Sequence, residues 1–334
     1  MPIRARHLGA TGLVLLAIAL LLLWLVPSNT YIFLPDRAHP VAPIVQVQGA
    51  HPNADAGGIF YVDVFVRKAT LLERLWPGIH EGAQLVPASE LVPPGTSDKQ
   101  RRQFDARAMT RSQQVAAAVA LRTAGYHVVA RPTGVLVDEV DPTAPAAGDL
   151  LPTDVIVSAN GHRVRTPADL RRIVGATNPG DVVRLIVRRG DTEKGVDVRT
   201  IRGPRGRTLI GIIIEASADV QLPRRVKINS GSVGGPSAGL AFALEILEKL
   251  GRDVDHGVKV AATGQIELDG TVSPIGGVEQ KTVGVRRSGI RVFLVPAGEN
   301  AAEARRYAHG IRIVAVRNFQ QALRELATLP KPAG

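Results

Sequence analysis

Residues 226–250 constrain this chain more than any other stretch: Val-Lys-Ile-Asn-Ser-Gly-Ser-Val-Gly-Gly-Pro-Ser-Ala-Gly-Leu, then Ala-Phe-Ala-Leu-Glu-Ile-Leu-Glu-Lys-Leu. Val226 and Ile228 alternate with polar residues as in a short strand, whereas Asn229–Gly235 follows no hydrophobic period and reads as a loop. Pro236 has the fixed φ that suits a first helical turn. Leu240, Ala243, Leu244 and Leu247 then share one stripe of a helix that Gly251 stops. Ser237 is thereby placed at a helix N-terminus, where free N–H groups and the helix dipole favour developing negative charge. Taken alone, such a serine is more simply an N-cap. Residues downstream decide.

The decisive residue is Lys281, early in a helix that follows Pro274-Ile275-Gly276-Gly277. Val278 and Val285, at i−3 and i+4, share its face, so the ammonium should be partly desolvated and its pKa lowered. A neutral amine accepts a proton from a serine hydroxyl. A lysine snorkelling to the surface is the plainer alternative. Lysine is scarce in this chain, and its use at a glycine-flanked loop–helix junction is therefore informative.

The N-terminus has a different character. Residues 8–35 contain no Asp, Glu, Lys or Arg, and Leu8–Val26 is long and apolar enough to cross a bilayer. Arg4 and Arg6 precede it, which predicts a cytoplasmic N-terminus (1–7), a single span (8–27) and an extracytoplasmic remainder in the cell membrane. Leu25-Val26-Pro27-Ser28 makes a poor signal-peptide cleavage site. The net charge of +11 is spread over segments of every kind without an aromatic-and-basic stripe, so no nucleic-acid partner is expected. The absence of cysteine removes thiol catalysis, disulfides and thiolate metal sites. No His/Asp/Glu spacing suggests a metal, and no cofactor is expected. The sequence leaves self-association open.

Past the anchor, Ile44–Gln48 and Ile59–Val66 read as strands, residues 77–98 as a loop, and Ser112–Ala124 as a helix. Gly134–Val140, Asp154–Ala159, Val182–Arg188 and Val196–Ile201 are predicted strands, with a helix over Ala168–Val174 and a hairpin turn at Asn160-Gly161. This order, with Val-Asp-Pro-Thr-Ala-Pro-Ala (140–146) and Asp-Val-Ile-Val-Ser-Ala-Asn-Gly (154–161), resembles a bacterial PDZ domain. The resemblance implies a peptide added as a strand beside a helix. Thr133-Gly134-Val135-Leu136 is then the carboxylate-binding loop, with Leu170 of the helix opposite; the loop lacks the second glycine common in that family. Ile210–Ile214 reads as a buried strand. From Val258 onward, strands and helices alternate: Val258–Ala262, a hairpin over Gln265–Val272, Val278–Ser288, Arg291–Val295, Asn300–Ala308, Ile311–Val316 and Phe319–Ala327.

Gly235-Pro236-Ser237-Ala238-Gly239, then Thr263-Gly264-Gln265-Ile266, then Pro274-Ile275-Gly276-Gly277-Val278-Glu279-Gln280-Lys281 resembles the Lon protease domain. The resemblance implies a Ser237–Lys281 dyad, Thr263 orienting the lysine, and Gly235, Pro236 and Ala238 supporting the serine. It departs at Gly234, where many Lon domains carry an acidic residue. The fold class implied is α/β (α+β), a Lon-type proteolytic domain with an inserted β-rich PDZ-like domain and one N-terminal transmembrane helix. Its expected segments are 36–125 and 206–330 for the protease and 126–205 for the insert. No Gly-x-x-x-x-Gly-Lys-Ser/Thr motif occurs, so the expected activity is ATP-independent endopeptidase cleavage of proteins or peptides. Two rivals remain at this level. One is a catalytically silent membrane scaffold that binds peptides. The other is an α/β-hydrolase using Ser237, Asp269 and His309, although Asn229–Gly235 separates Ser237 from its strand.

Overall fold

The computed structural model describes residues 3–50, 57–91, 98–203 and 206–330. The chain begins with α1 (Ile3–Leu25), β1 (Pro27–Pro40), β2 (Val45–Val47) and β3 (Gly58–Thr70). Then come α2 (Leu71–Leu75), a 3-10 turn at Pro77–Ile79, β4 (Gln84–Pro87), α3 (Ala88–Leu91) and α4 (Asp98–Thr123). A second group follows: β5 (Val129–Val140), β6 (Val155–Ala159), β7 (His162–Arg163), α5 (Pro167–Gly175), β8 (Val182–Arg189), β9 (Thr192–Arg199), β10 (Ile201–Arg202), β11 (Thr208–Leu209) and β12 (Ile212–Gln221). The last part holds β13 (Val226–Ile228), α6 (Gly239–Lys249), β14 (Lys259–Ala262), β15 (Gln265–Ile266), β16 (Val272–Ser273) and α7 (Val278–Arg287). It closes with β17 (Val292–Pro296), α8 (Glu299–Tyr307), β18 (Arg312–Val316) and α9 (Phe319–Leu326).

Two six-stranded sheets organise the chain. The first runs β18-β17-β14-β3-β1-β4; its four strands from β18 to β3 are parallel, and β1 pairs antiparallel with both β3 and β4. Successive side chains of a strand face opposite ways. Val260 and Ala262, Val292 and Leu294, Val314 and Val316 accordingly pack with α4, α6 and α9 on one face. Ala261, Phe293 and Val295 pack with α7 and α8 on the other. Burial of both faces accounts for the near-continuous apolar run of β17.

The second sheet, β12-β5-β6-β8-β9 with β7 beside β6, has its own core around Val135, Ile156, Leu170 and Val183. Its strands span 129–221, between two segments that both contribute to the first sheet. The sequence-based limit of 205 for the insert stops short because β12 pairs along nearly the whole of β5, from Ile212↔Val140 to Gln221↔Val129.

Three other expectations need correction. The segment expected from residue 36 joins the first sheet earlier, at β1; Pro27, Pro35 and Pro40 mask a strand whose Tyr31 and Ile32 are buried. The supposed loop at 77–98 contains β4, held to β1 over Gln84–Pro87; residues 92–97 are outside those described. Ile210–Ile214 is not a buried strand: Ile210 is buried, but Ile213 is 55% exposed on an edge strand. The anchor expected over 8–27 coincides with α1 and falls in part outside the described residues. Among those described, no helix is long and apolar enough to cross a membrane.

Candidate active site

Two helices from opposite faces of the first sheet meet at the C-terminal end of β14. In parallel α/β sheets, this end of the strands is where ligands bind. On one face, α4 holds the serine loop: Ser112 Oγ donates to the Pro236 carbonyl at 2.9 Å, and Gln113 Nε2 donates to Ser230 Oγ at 3.0 Å. The Gly235 amide donates to the Asp105 carbonyl at 2.9 Å. α6 then starts two residues beyond Ser237, with Ala238 as an N-cap that makes no side-chain bond. Ser237 is therefore not a cap.

On the other face, Gly277 begins α7 in a left-handed conformation (φ 69°), which a β-carbon would strain. Gly284 lets the helix approach β1 so closely that a β-carbon there would lie 1.9 Å from the Asp36 carbonyl oxygen. α7 is thus seated on the sheet with Val278 and Val285 fully buried, as the spacing predicts. Lys281 is carried inward and is only 3% exposed.

Lys281 Nζ lies 2.8 Å from Ser237 Oγ and 3.1 Å from Thr263 Oγ1. The Thr263 hydroxyl, fully buried at the end of β14, donates to the Ser237 carbonyl at 3.2 Å, so its lone pairs face the amine. Burial pushes the Lys281 ammonium down to about 7, and the Asp63 carboxylate works in the opposite direction. A lysine held this way exchanges its proton near neutrality.

Gly235, Pro236 and Ala238 all lie in the loop and turn beside Ser237. The Gly235 amide is occupied by Asp105 and is not available to an oxyanion. Among the described residues, the amides of Ser237 and Ala238 have no acceptor within the chain. Gly234 gives room to α4: a β-carbon at 234 would lie 2.7 Å from Asp105 Cβ. The α4 backbone and Asp105 Cβ thus occupy the space that a side chain at 234 would need, while the Asp105 carboxylate pairs with Arg101. Burial raises the Asp105 pKa, with Arg101 opposing.

Sequence reasoning missed Asp63, although an acid inside the apolar run Ile59–Val66 was a visible signal. Its Oδ1 is buried without a hydrogen-bond partner, and burial raises its pKa. Asp36, His39 and Asp63 bring candidate ligand atoms within 4.8 Å of one another, as do Glu248, Asp253 and Asp255. Spacing along the chain showed neither group.

Gly134, Val135 and Leu136 do not form a peptide-binding edge. They lie on β5, which is paired on both sides, with Val135 opposite Ala216 and Ile156. The strand has no free edge to offer. The groove beside α5 is instead lined by Leu170, Val174 and residues 206–214, including the first turn of β12. Leu170 lines that groove, and the three β5 residues do not. Asp269 caps its own hairpin turn, accepting from Thr271 N at 2.8 Å, and Lys281 rather than a histidine meets Ser237.

Residues 219–327 match the Lon protease (S16) C-terminal proteolytic domain. The chain carries a Lon-type proteolytic domain. That domain is a serine peptidase fold with a Ser–Lys dyad. Residues 108–200 match the PDZ domain family. Lon protease 2 of Bacillus subtilis is 38% identical over 99 residues, 29% of this chain and 17% of that protein. Lon protease 1 of Sorangium cellulosum is 42% identical over 79 residues, 23% of this chain and 10% of that protein. The chain therefore spans under a fifth of these relatives' length. Among solved structures, the PDZ domain of an SdrC-like protein from Listeria monocytogenes is similar to 25% of this chain, covering 87% of its own, at 25% identity and a TM-score of 0.24.

Proposed function

We propose that this protein is an ATP-independent, membrane-anchored endopeptidase that cleaves polypeptides outside the cytoplasm. The 2.8 Å approach of Lys281 Nζ to Ser237 Oγ in a buried site carries the catalytic part of this reading.

Neutral Lys281 accepts the Ser237 proton as Oγ attacks the scissile carbonyl carbon. The oxyanion is met by the Ser237 and Ala238 amides near the start of α6. Collapse breaks the C–N bond, and the lysine proton passes to the departing amine, leaving an acyl ester on Ser237. Lys281 then deprotonates a water that attacks the ester, and the proton returns to Oγ as it leaves. Thr263 accepts an amine N–H and so aims the nitrogen lone pair at Ser237.

Anchoring is supported by the uncharged stretch 8–35 and by the surface beside the end of α1. There the Leu71 amide donates to the Val26 carbonyl, and Leu75 and Trp76 are 72% and 69% exposed. Exposed tryptophan and leucine beside an apolar helix suit a membrane–water interface.

The test is cleavage of casein by the full chain. Ser237→Ala and Lys281→Ala should lower kcat by on the order of 10⁴-fold or more, as for other serine-peptidase nucleophile–base sets. Lys281→Arg should be equally inactive, because guanidinium does not give up its proton. Retained cleavage in either alanine variant would refute the dyad.

A further inference from the structure

Only Val26 separates α1 from β1. Its amide closes the last helical turn on the Leu22 carbonyl at 3.0 Å, and its carbonyl accepts the Leu71 amide at 2.9 Å. The apolar helix thus passes into the first sheet without a linker. Pro27 pairs with Thr70, so one end of the β1–β3 ladder lies where that helix ends. α2 follows Thr70 at once and carries exposed Arg74 and Leu75, with exposed Trp76 and Ile79 just beyond.

The same ladder sets where the catalytic pair stands. β3 and β14 are parallel, with Ala262 beside Tyr61. Thr263 follows one step on, level with Val62, and there Ser237 and Lys281 meet. The C-terminal ends of both strands therefore point along β3 toward Thr70. The start of α7 lies on that side too, since a β-carbon at Gly277 would come within 2.7 Å of Val64 Cγ2. From Val62 to Thr70, β3 continues for about 26 Å at the rise of a strand.

We infer that the catalytic centre is held facing the membrane at a fixed height of about 26 Å, and that its substrates are polypeptides tethered to the same membrane surface. This deepens the anchored-endopeptidase reading and rests on it. Leu75 and Trp76 suit the headgroup level, and Arg74 suits anionic lipid phosphates, so the body has a second hold besides α1 and does not tilt freely. A segment leaving the bilayer needs about eight extended residues to reach Ser237. A bond closer to the bilayer than that is out of reach. A bond much further away is reached, but tethering concentrates it less. The enzyme then cuts membrane proteins in the stretch just outside the bilayer and leaves their spans intact.

The experiment uses the full chain in vesicles whose lipids are brominated just below the headgroup. Trp24 and Trp76 are the two tryptophans of the chain, so Trp76→Phe reports on Trp24 and Trp24→Phe on Trp76. Both should be quenched. The wild type is given a casein-derived sequence joined to a transmembrane segment, with the scissile bond about two, ten or forty flexible residues from the bilayer. A copy without the transmembrane segment serves as reference. At equal bulk concentration the ten-residue substrate should be cut at least about tenfold faster than the untethered copy. The forty-residue one should fall between them, and the two-residue one should gain nothing. Equal rates at two and ten residues, or no gain from tethering, would overturn the inference and leave the anchor and the dyad standing. Quenched Trp24 with unquenched Trp76 would overturn the fixed height while sparing the anchor. Unquenched Trp24 would remove the anchored reading and this inference with it. If both tryptophans are quenched and no copy is cut, the peptidase reading falls instead, and the substrate class with it.

Discussion

The Thr263 hydroxyl donates to the Ser237 carbonyl at 3.2 Å and so faces Lys281 only as an acceptor. Its role is to orient the amine. Thr263→Val keeps the shape but removes the hydroxyl, and kcat should fall by about 10- to 100-fold with little change in KM, as for a group that improves general-base geometry. Thr263→Ser should restore most of the rate. Steady-state kinetics on one peptide decides it: a rise in KM with kcat preserved would mean that the threonine acts on binding.

The pH profile should report the lysine. With Lys281 pushed down to about 7, kcat/KM should rise with pH through a single limb near neutrality and then level off. Asp63 raises the Lys281 pKa, so Asp63→Asn should lower it and move that limb to more acidic pH. Activity at pH 6 should then increase relative to the wild type. A limb that stays in place or moves up would mean that Asp63 does not act on the lysine.

The same lysine costs stability. Its folded pKa lies below the ordinary 10.5, so the unfolded chain binds more protons between about 7 and 10.5, and stability rises with pH across that window. Below about 7 the full penalty applies, on the order of 3–5 kcal/mol. Lys281→Met fills the same space without charge and should raise the denaturation midpoint at pH 6 but leave it nearly unchanged at pH 10.5. Equal midpoints at pH 6 would show that the amine is not desolvated.

Much of this site was legible because it is local. Gly-Pro-Ser-Ala-Gly and Pro-Ile-Gly-Gly followed by Lys281 are each one loop and the start of one helix, and the spacing of Val278 and Val285 already implied an inward lysine. What escaped is set by partners distant in sequence. Whether Val135 lies on an open or a closed edge depends on β12, some eighty residues later. Asp105 reaches the serine loop only because Gly234 leaves room for it. β1 escaped for another reason: its prolines hide the alternation, yet the register shift between Pro35 and Ala38 accommodates the chain at the sheet.

Membrane topology is open to a direct assay. The proposed anchor, with Arg4 and Arg6 at a cytoplasmic end, predicts that protease added to intact spheroplasts digests the C-terminal body. Protection in spheroplasts with digestion in inverted vesicles would reverse the assigned orientation.

The pairing of β3 with β14 joins Gly58–Tyr61 to Lys259–Ala262 across the entire PDZ-like insert. Thr263 and the sockets for Ser237 and Lys281 lie at the end of that pairing. Contacts of such long sequence separation form late, and a chain still emerging from the ribosome has no β14 to add. A nascent or truncated copy that stops before β14 and α7 therefore lacks the assembled Ser237–Lys281 pair, and the proposed activity waits on residues 259–287.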